Sequence, residues 1–460
     1  MLSEEELIQA IMKKRKDLTR EQLVKMVDEK LAWNPFLTRS GALLIILEEE
    51  RLSDEILPNR PDYTITEIAN LTPGLRRLKL SVRLLGIKHI HLKSGRRLSV
   101  MRVGDRTGVA SLLLWNEYSD RAKVENFQPG AILSLSNFRA YENKLTGFLE
   151  LAADEGAYIV RENSDVELPP LESYFNSVSE ALSLRKTIAD IKCLLLFHGE
   201  EEHASRHGTE FQLVRLVVGD NEKTCPVTLW GEVAEYAKSL RQGETLYLTC
   251  LRRDGDGYSS THRTTIHRGA TDTEGLQTAL RRLGSERRIK VLYTDGGRVI
   301  CTDGGESFII TGPAHVKTDD CLRVTDSVVV SWKGRHYLYY QRLERIKEGE
   351  CTDISPVTSL EDVSQPMRNL VLECVLLRRG QPSTIRTRYG VRPVINLWLG
   401  ICGRVYPATA WGAKSEEMAK VPEGAKLRIL LATVRRNRFD EVEVMLEDDT
   451  VVQQLENGFK

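Results

Sequence analysis

The chain is poor in the features that announce a membrane protein, a secreted protein or an enzyme. No run of its 460 residues approaches the roughly 18 apolar residues that carry a helix across a bilayer. The opening Met-Leu-Ser-Glu-Glu-Glu is acidic where a secretory leader is basic and then apolar. An intracellular protein is therefore expected, cytoplasmic and nucleoid-associated, with no membrane partner. The eight cysteines never approach C-x-x-C spacing, so the expectation is buried reduced thiols and no metal. The phosphate loop G-x-x-x-x-G-K-[ST] is missing, as are H-E-x-x-H, H-x-E…C-x-x-C and the nucleotide-ligase K-x-D-G. The densest carboxylates, Asp319-Asp320 and Glu48 to Glu50, have no companions suited to acid–base work, and a metal role for His89 and His91 would need further ligands. No enzymatic activity and no cofactor are expected.

Net charge is also absent, with 65 basic and 65 acidic residues. The average conceals unlike parts. Residues 1–57 carry a net −3 and residues 151–175 a net −5, whereas 74–150 carry +8, 366–443 carry +7 and 184–268 balance. Basic stretches separated by acidic ones suit a polyanion partner contacted at selected places.

Against these absences stands a repeat. Trp115, Trp230 and Trp411 each follow a glycine by 11 residues, at Gly104, Gly219 and Gly400. A second glycine comes after each, at Gly130, Gly243 and Gly424, and an aromatic later still, at Tyr141, Tyr258 and Phe439. The strands around them follow one order. In residues 65–162, apolar and alternating runs at 78–82, 98–103 and 110–115 precede a helix-like stretch, 118–124, and another strand, 131–135. Five short strands with a helix between the third and fourth is the order of an OB-fold barrel. It recurs over 182–270 and 365–456, and each copy is long enough to fold by itself.

The expected fold is mainly β: tandem OB-fold barrels, three clear and a fourth degenerate, behind a small N-terminal helical segment. Residues 1–60 read as that segment. Capping boxes begin at Ser3 and Thr19, Thr38 caps a third helix, and apolar stripes run through Leu7–Met12, Leu23–Leu31 and Leu43–Leu47. Residues 285–346 are strand-rich without the glycine–tryptophan spacing and read as a degenerate barrel or small β domain. Residues 163–181, which include Pro169-Pro170, read as a linker, as do the stretches near 270–284 and 347–364.

Aromatics on a barrel face stack on unpaired bases for about 1–3 kcal/mol per base, whatever the sequence. That assigns Trp115 with Tyr141, Trp230 with Tyr258, and Trp411 with Phe439 to base stacking, although each tryptophan could equally serve its barrel core. Phosphates need cations at the rim. The loop after strand one offers Lys88, Lys93, Arg96 and Arg97 in the first module, and Arg386 and Arg388 in the last. Arg102, Arg139, Arg252, Arg253, Arg435, Arg436 and Arg438 complete the candidates. The second module's loop, Gly199 to His203, is acidic and departs from this pattern.

The segment Pro226-Val227-Thr228-Leu229-Trp230-Gly231-Glu232 resembles the DNA-binding domains of the replication protein A family. The resemblance implies a tryptophan that stacks on a base and a second stacking aromatic after strand four begins, matched by Tyr141, Phe439 and Tyr258. It implies single-stranded-DNA binding in replication, recombination and repair. The N-terminal helices look like those heading archaeal members and could dock replication or repair proteins. The chain departs from members with a C-terminal zinc finger. An RNA- or tRNA-binding OB protein uses the same physics and stands as the alternative.

Overall fold

The computed structural model describes residues 4–33, 39–49, 64–92, 94–144, 148–162, 167–184, 187–206, 209–295, 297–311, 315–353, 355–357, 360, 363–387 and 390–455. The N-terminal helices are α1 (Glu4–Lys14), α2 (Arg20–Trp33) and α3 (Arg39–Glu49). Leu7, Ile11, Leu23, Val27, Leu43 and Ile46 pack together between them. The capping box before α2 is formed: the Gln22 N–H donates to Thr19 Oγ1 at 3.2 Å, and Gln22 Oε1 accepts from the Thr19 N–H at 2.8 Å. The caps expected at Ser3 and Thr38 lie outside the described residues.

Four barrels follow. The first contains β1 (Thr64–Ile65), β2 (Leu78–His91), β3 (Arg97–Gly104) and β4 (Val109–Trp115). Helix α4 (Glu117–Val124) leads to β5 (Ile132–Glu142) and β6 (Leu149–Arg161). Alternation sorts its side chains: Ala110, Leu112 and Leu114 point into the barrel core, while Leu113 and Trp115 face out.

Helix α5 (Val178–Ser183), capped by Ser177 and Glu180, leads into the second barrel, where Val178 and Ala181 join the core. Its strands are β7 (Ile188–Arg206), β8 (Thr209–Gly219), β9 (Thr224–Trp230), β10 (Glu244–Asp254), β11 (Gly257–Ser259) and β12 (Ile266–Thr271), with α6 (Glu232–Ala237) after β9. The acidic stretch 199–203 is the outer part of β7, laddered onto β8 as far as Arg206 and Thr209. Helix α7 (Thr273–Leu283), capped by Asp272, occupies the 270–284 stretch that reads as a linker.

The third barrel comprises β13 (Ser285–Thr294), β14 (Arg298–Thr302), β15 (Ser307–Thr311), β16 (Cys321–Trp332), β17 (Arg335–Tyr339) and β18 (Arg342–Arg345). The fourth comprises β19 (Met367–Arg379), β20 (Ser383–Thr387), β21 (Gly390–Ile401) and β22 (Arg404–Trp411), then α8 (Ala413–Met418) and β23 (Lys426–Arg436), β24 (Val442–Leu446) and β25 (Val451–Gln454).

All four barrels close by one circuit. Counting strands one to five as β2–β6, β7–β11, β13–β17 and β19, β21, β22, β23, β24, strand one pairs with two, two with three, three with five in parallel, five with four, and four returns to one. Of the two expected readings of residues 285–346, degenerate barrel or small β domain, the closed circuit bears out the barrel. Ile289, Val291, Phe308, Ile310, Leu322 and Val324 fill its core. It differs in that strand three ends at Thr311 instead of tryptophan, and residues 315–320 form no helix. The repeat spacing depends on those two features, whereas closure depends only on alternation.

The barrels pack directly on one another. Leu85 meets Phe175 and Tyr247 between the first and second. Leu196 and Val217 meet Leu280, Val328 and Val330 between the second and third. Leu292, Ile300 and Ile309 meet Val371, Leu430, Leu431 and Val451 between the third and fourth. Arg335, nearly buried at this last seam, donates to both Asp449 carboxylate oxygens at 2.7 Å and to the Leu431 carbonyl at 2.8 Å. Cys225 and Cys374 are buried, and desolvation pushes both thiols up to about 12, away from nucleophilic use.

Candidate nucleic-acid interface

Trp115 and Tyr141 come from β4 and β5, more than 20 residues apart, and meet on the outside of the first barrel. They rest with Ile90 on a base of Leu98, Val100 and Leu113, a cluster separate from the barrel core. Both rings are half-buried. The Arg96 guanidinium lies 4.2 Å from the Trp115 ring centroid, a cation–π contact on the outer side of the barrel. The Tyr141 hydroxyl donates to Glu150 at 2.8 Å. Burial is the main cause that raises its ionisation well above that of an ordinary tyrosine, with the Glu150 hydrogen bond next, so it remains a neutral donor.

Glu150 is itself buried and also accepts from Asn143 Nδ2 at 3.1 Å and from the Arg263 guanidinium of the second barrel. A buried carboxylate is tolerated only with such partners. The Tyr141 ring is therefore oriented by a residue from the neighbouring barrel. Neither Glu150 nor Arg263 stood out in the sequence, because their partnership depends on how two barrels pack.

In the second barrel the expected pair is not formed. Tyr258 is 1% exposed, lies in the barrel core and donates its hydroxyl to the Ala181 carbonyl at 2.7 Å. Its assignment to stacking is corrected: β11 is only three residues long, and the parallel pairing of Tyr258 with Val227 turns the ring inward, under α5. Trp230 keeps a half-buried place at the strand end, its indole N–H held by Ser259 Oγ at 2.9 Å.

A different aromatic offers itself there. Leu213 pairs with Trp230, so Phe211, two residues back on β8, lies on the same face and is 39% exposed. Arg96 holds the matching position in the first barrel, two residues before the Leu98 that pairs with Trp115. The alternation of Glu210-Phe211-Gln212-Leu213 carried this signal, but nothing marked which face the tryptophan shares.

In the fourth barrel, Trp411 ends β22 opposite Val394. Its buried indole N–H finds no acceptor among the described residues. Phe439 is 67% exposed at the turn between β23 and β24, where Asn437 Oδ1 accepts from the Phe439 N–H at 2.8 Å and Arg438 sits 4.6 Å from the ring. Trp411 and Phe439 do not share a cluster of the kind that joins Trp115 to Tyr141.

The candidate cations divide by partner. Arg102 is half-buried and grips Asp190 of the second barrel at 2.7 and 2.9 Å. It cannot reach a phosphate, and that assignment is corrected. Arg253 is half-buried with Nη1 on the Leu182 carbonyl at 3.0 Å, which ties β10 to α5 instead of reaching a ligand. Lys88 is largely enclosed, its Nζ 3.8 Å from Glu232 across the first seam. Burial lowers its ammonium's pKa, with Glu232 opposing.

Arg97, Arg139 and Arg435 hold surface pairs with Asp120, Asp154 and Glu443 at 2.8, 3.4 and 3.7 Å, and Arg436 reaches the Val363 carbonyl at 2.9 Å. Exposed pairs of this kind are worth about 0–1 kcal/mol, so a phosphate can replace them. Arg252, Arg386 and Arg438 are exposed. Lys93 and Arg388 lie outside the described residues.

Fold and surface together define a tandem four-barrel OB-fold protein with paired aromatics on the outer face of its first barrel. No protein-family model matches the chain, and no curated protein matches it. Solved structures similar to it include a replication protein A heterotrimer bound to ssDNA, at 12% identity over 85% of this chain and 96% of that one, with a TM-score of 0.37. They also include the HINa domain of Ifi202 in complex with 20bp dsDNA, at 15% identity over 42% of this chain and 97% of that one, TM-score 0.30. A p202 HIN1 domain in complex with 12-mer dsDNA matches at 15% identity over 44% and 98%, TM-score 0.29.

Proposed function

We propose that the chain binds single-stranded DNA through base stacking on Trp115 and Tyr141, extended by Trp230 with Phe211 and by Trp411 with Phe439. The observation that carries this reading is the outer-face cluster of Trp115, Tyr141 and Ile90 under the Arg96 guanidinium. A wedge of two aromatics beside a cation is how a barrel grips an unstacked base and its phosphate. Barrels in series raise affinity through effective concentration, since each engaged site holds the next near its ligand. The role that follows is intracellular and non-enzymatic: covering exposed strands in replication, recombination and repair, with the N-terminal helices free to dock partner proteins.

Titration with oligo(dT) at low salt, followed by tryptophan fluorescence, tests the reading. Quenching with an affinity that falls steeply as salt rises is expected. Matched RNA and duplex arms belong in the same experiment. Tighter binding to RNA or to duplex than to oligo(dT) would overturn the single-stranded-DNA assignment, and no quenching by any of them would overturn nucleic-acid binding.

A further inference from the structure

Each barrel carries a leucine in the same β-bulge. The register between strands one and two skips Leu85 in the first barrel, Leu196 in the second, Leu292 in the third and Leu377 in the fourth. A bulge turns its extra residue out of the ladder. In the first three barrels that leucine is buried against the next barrel. The residue that resumes the pairing on strand two behaves alike. It is Arg102, gripping Asp190, then Val217 and Ile300, both in the inter-barrel clusters.

The repeated glycines belong to this face. A side chain at Gly219 would collide with Leu196, and one at Gly104 with Tyr174. Val109, paired with Gly104, also packs into the first seam.

The fourth barrel repeats the whole arrangement without an occupant among the described residues. Leu377 is 45% exposed and lies against Gly400, Trp398 is 36% exposed, and Val405, opposite Gly400, is 59% exposed. Leu377, Gly400 and Val405 border an open pocket of about 490 Å³ that also includes Glu373, Arg404 and Lys426. The complementary face is the outer side of strand four and the strand beside it. In the fourth barrel that face offers Leu430, Leu431 and Val451 to the third. Leu431 has a φ of 61°, and Asn137 in the first barrel, with a φ of 63°, marks the same place. Ser136 pairs with Tyr158 there as Leu430 pairs with Val451. Tyr158, Val160 and, on β1, Ile65 are exposed apolar residues on or beside this face.

We infer that the Leu377–Trp398–Val405 face of the fourth barrel docks on the Tyr158–Val160 face of the first barrel of a second copy, continuing between molecules the packing that joins barrels within one. The contact is heterologous, joining two different faces, so each copy in a pair keeps one face unused and copies add head to tail. Such growth would line successive molecules along one strand.

Sedimentation of the full-length protein across a wide concentration range tests this directly. Wild type is expected to sediment faster as concentration rises, while L377E alone and Y158E alone remain monomeric. An equimolar mixture of L377E and Y158E, each with one face intact, is expected to form a one-to-one dimer and nothing larger. Both substitutions are at exposed positions, and circular dichroism with oligo(dT) binding confirms folding. A wild type that stays monomeric throughout, or a mixture that behaves as its separate components, overturns the inference.

Discussion

Replacing Arg263 by methionine isolates a contact that joins the first barrel's stacking site to the second barrel. Arg263 is mostly buried and serves the Glu150 carboxylate, whose side chain has no solvent exposure. Methionine keeps the stem and deletes the charge, leaving Glu150, among the described residues, with the Tyr141 hydroxyl and the Asn143 amide. Stripping a buried carboxylate of its cation costs about 3–5 kcal/mol. The two remaining donors, and the water a retreating loop admits, place the expectation at the lower end, about 3 kcal/mol. The penalty comes from orphaning the charge, so it should disappear once the charge is removed.

A double-mutant cycle with Glu150→Gln measures that, by urea unfolding of the full chain followed through tryptophan fluorescence. R263M in the Glu150→Gln background is expected to cost below about 1 kcal/mol, giving a coupling of about 2 kcal/mol or more. R263M alone should also weaken oligo(dT) binding severalfold, because Tyr141 loses the anchor that orients it. Additive costs, or an unchanged midpoint for R263M, would refute the electrostatic account of this seam.

The remaining expectations concern the other barrels and pH. Tyr258→Leu removes a core ring and its bond to Ala181, so it should lower stability by about 2–4 kcal/mol in chemical denaturation. Folded Tyr258→Leu should bind oligo(dT) with wild-type affinity, and a tenfold loss would restore the stacking role. Phe211→Ala should weaken binding by about 1 kcal/mol or more with no change in the unfolding midpoint. His89 and His267 both have lowered pKa values, mainly because burial disfavours their charged forms. Their contribution is fully present above the ordinary histidine value of about 6.5 and is lost as pH falls through the folded values. Melting temperature should therefore drop on acidification below about 6.5, and a His89→Gln, His267→Gln double variant should drop less.

Much of the fold was legible because it is written in period-two alternation, which a single strand displays by itself. Ala110, Leu112 and Leu114 alternate with Ser111, Leu113 and Trp115, and the structure sends the first set inward. The third barrel was legible only as a degenerate barrel or small β domain because it lacks the terminal tryptophan and the following helix, although its strands alternate as clearly. The site was legible only in part. Trp115 and Tyr141 do meet, but spacing alone could not tell Tyr258 from Tyr141. The difference lies in pairing: Tyr141 faces Glu150 on the outer side, while Tyr258 lies on a three-residue strand turned to the core. Charge counts likewise could not separate Arg102 and Arg253 from Arg252, since packing alone hands Arg102 to Asp190 of the next barrel and Arg253 to the Leu182 carbonyl of α5.

The first barrel's aromatic wedge is the centre of the account, and the affinity of Trp115→Ala for oligo(dT) at fixed low salt tests it most directly. Loss of one base stack predicts binding weaker by about 5- to 150-fold, the equivalent of about 1–3 kcal/mol, with the unfolding midpoint little changed. Wild-type affinity in a folded Trp115→Ala protein would contradict it, and would make the outer-face cluster a structural patch with no part in binding.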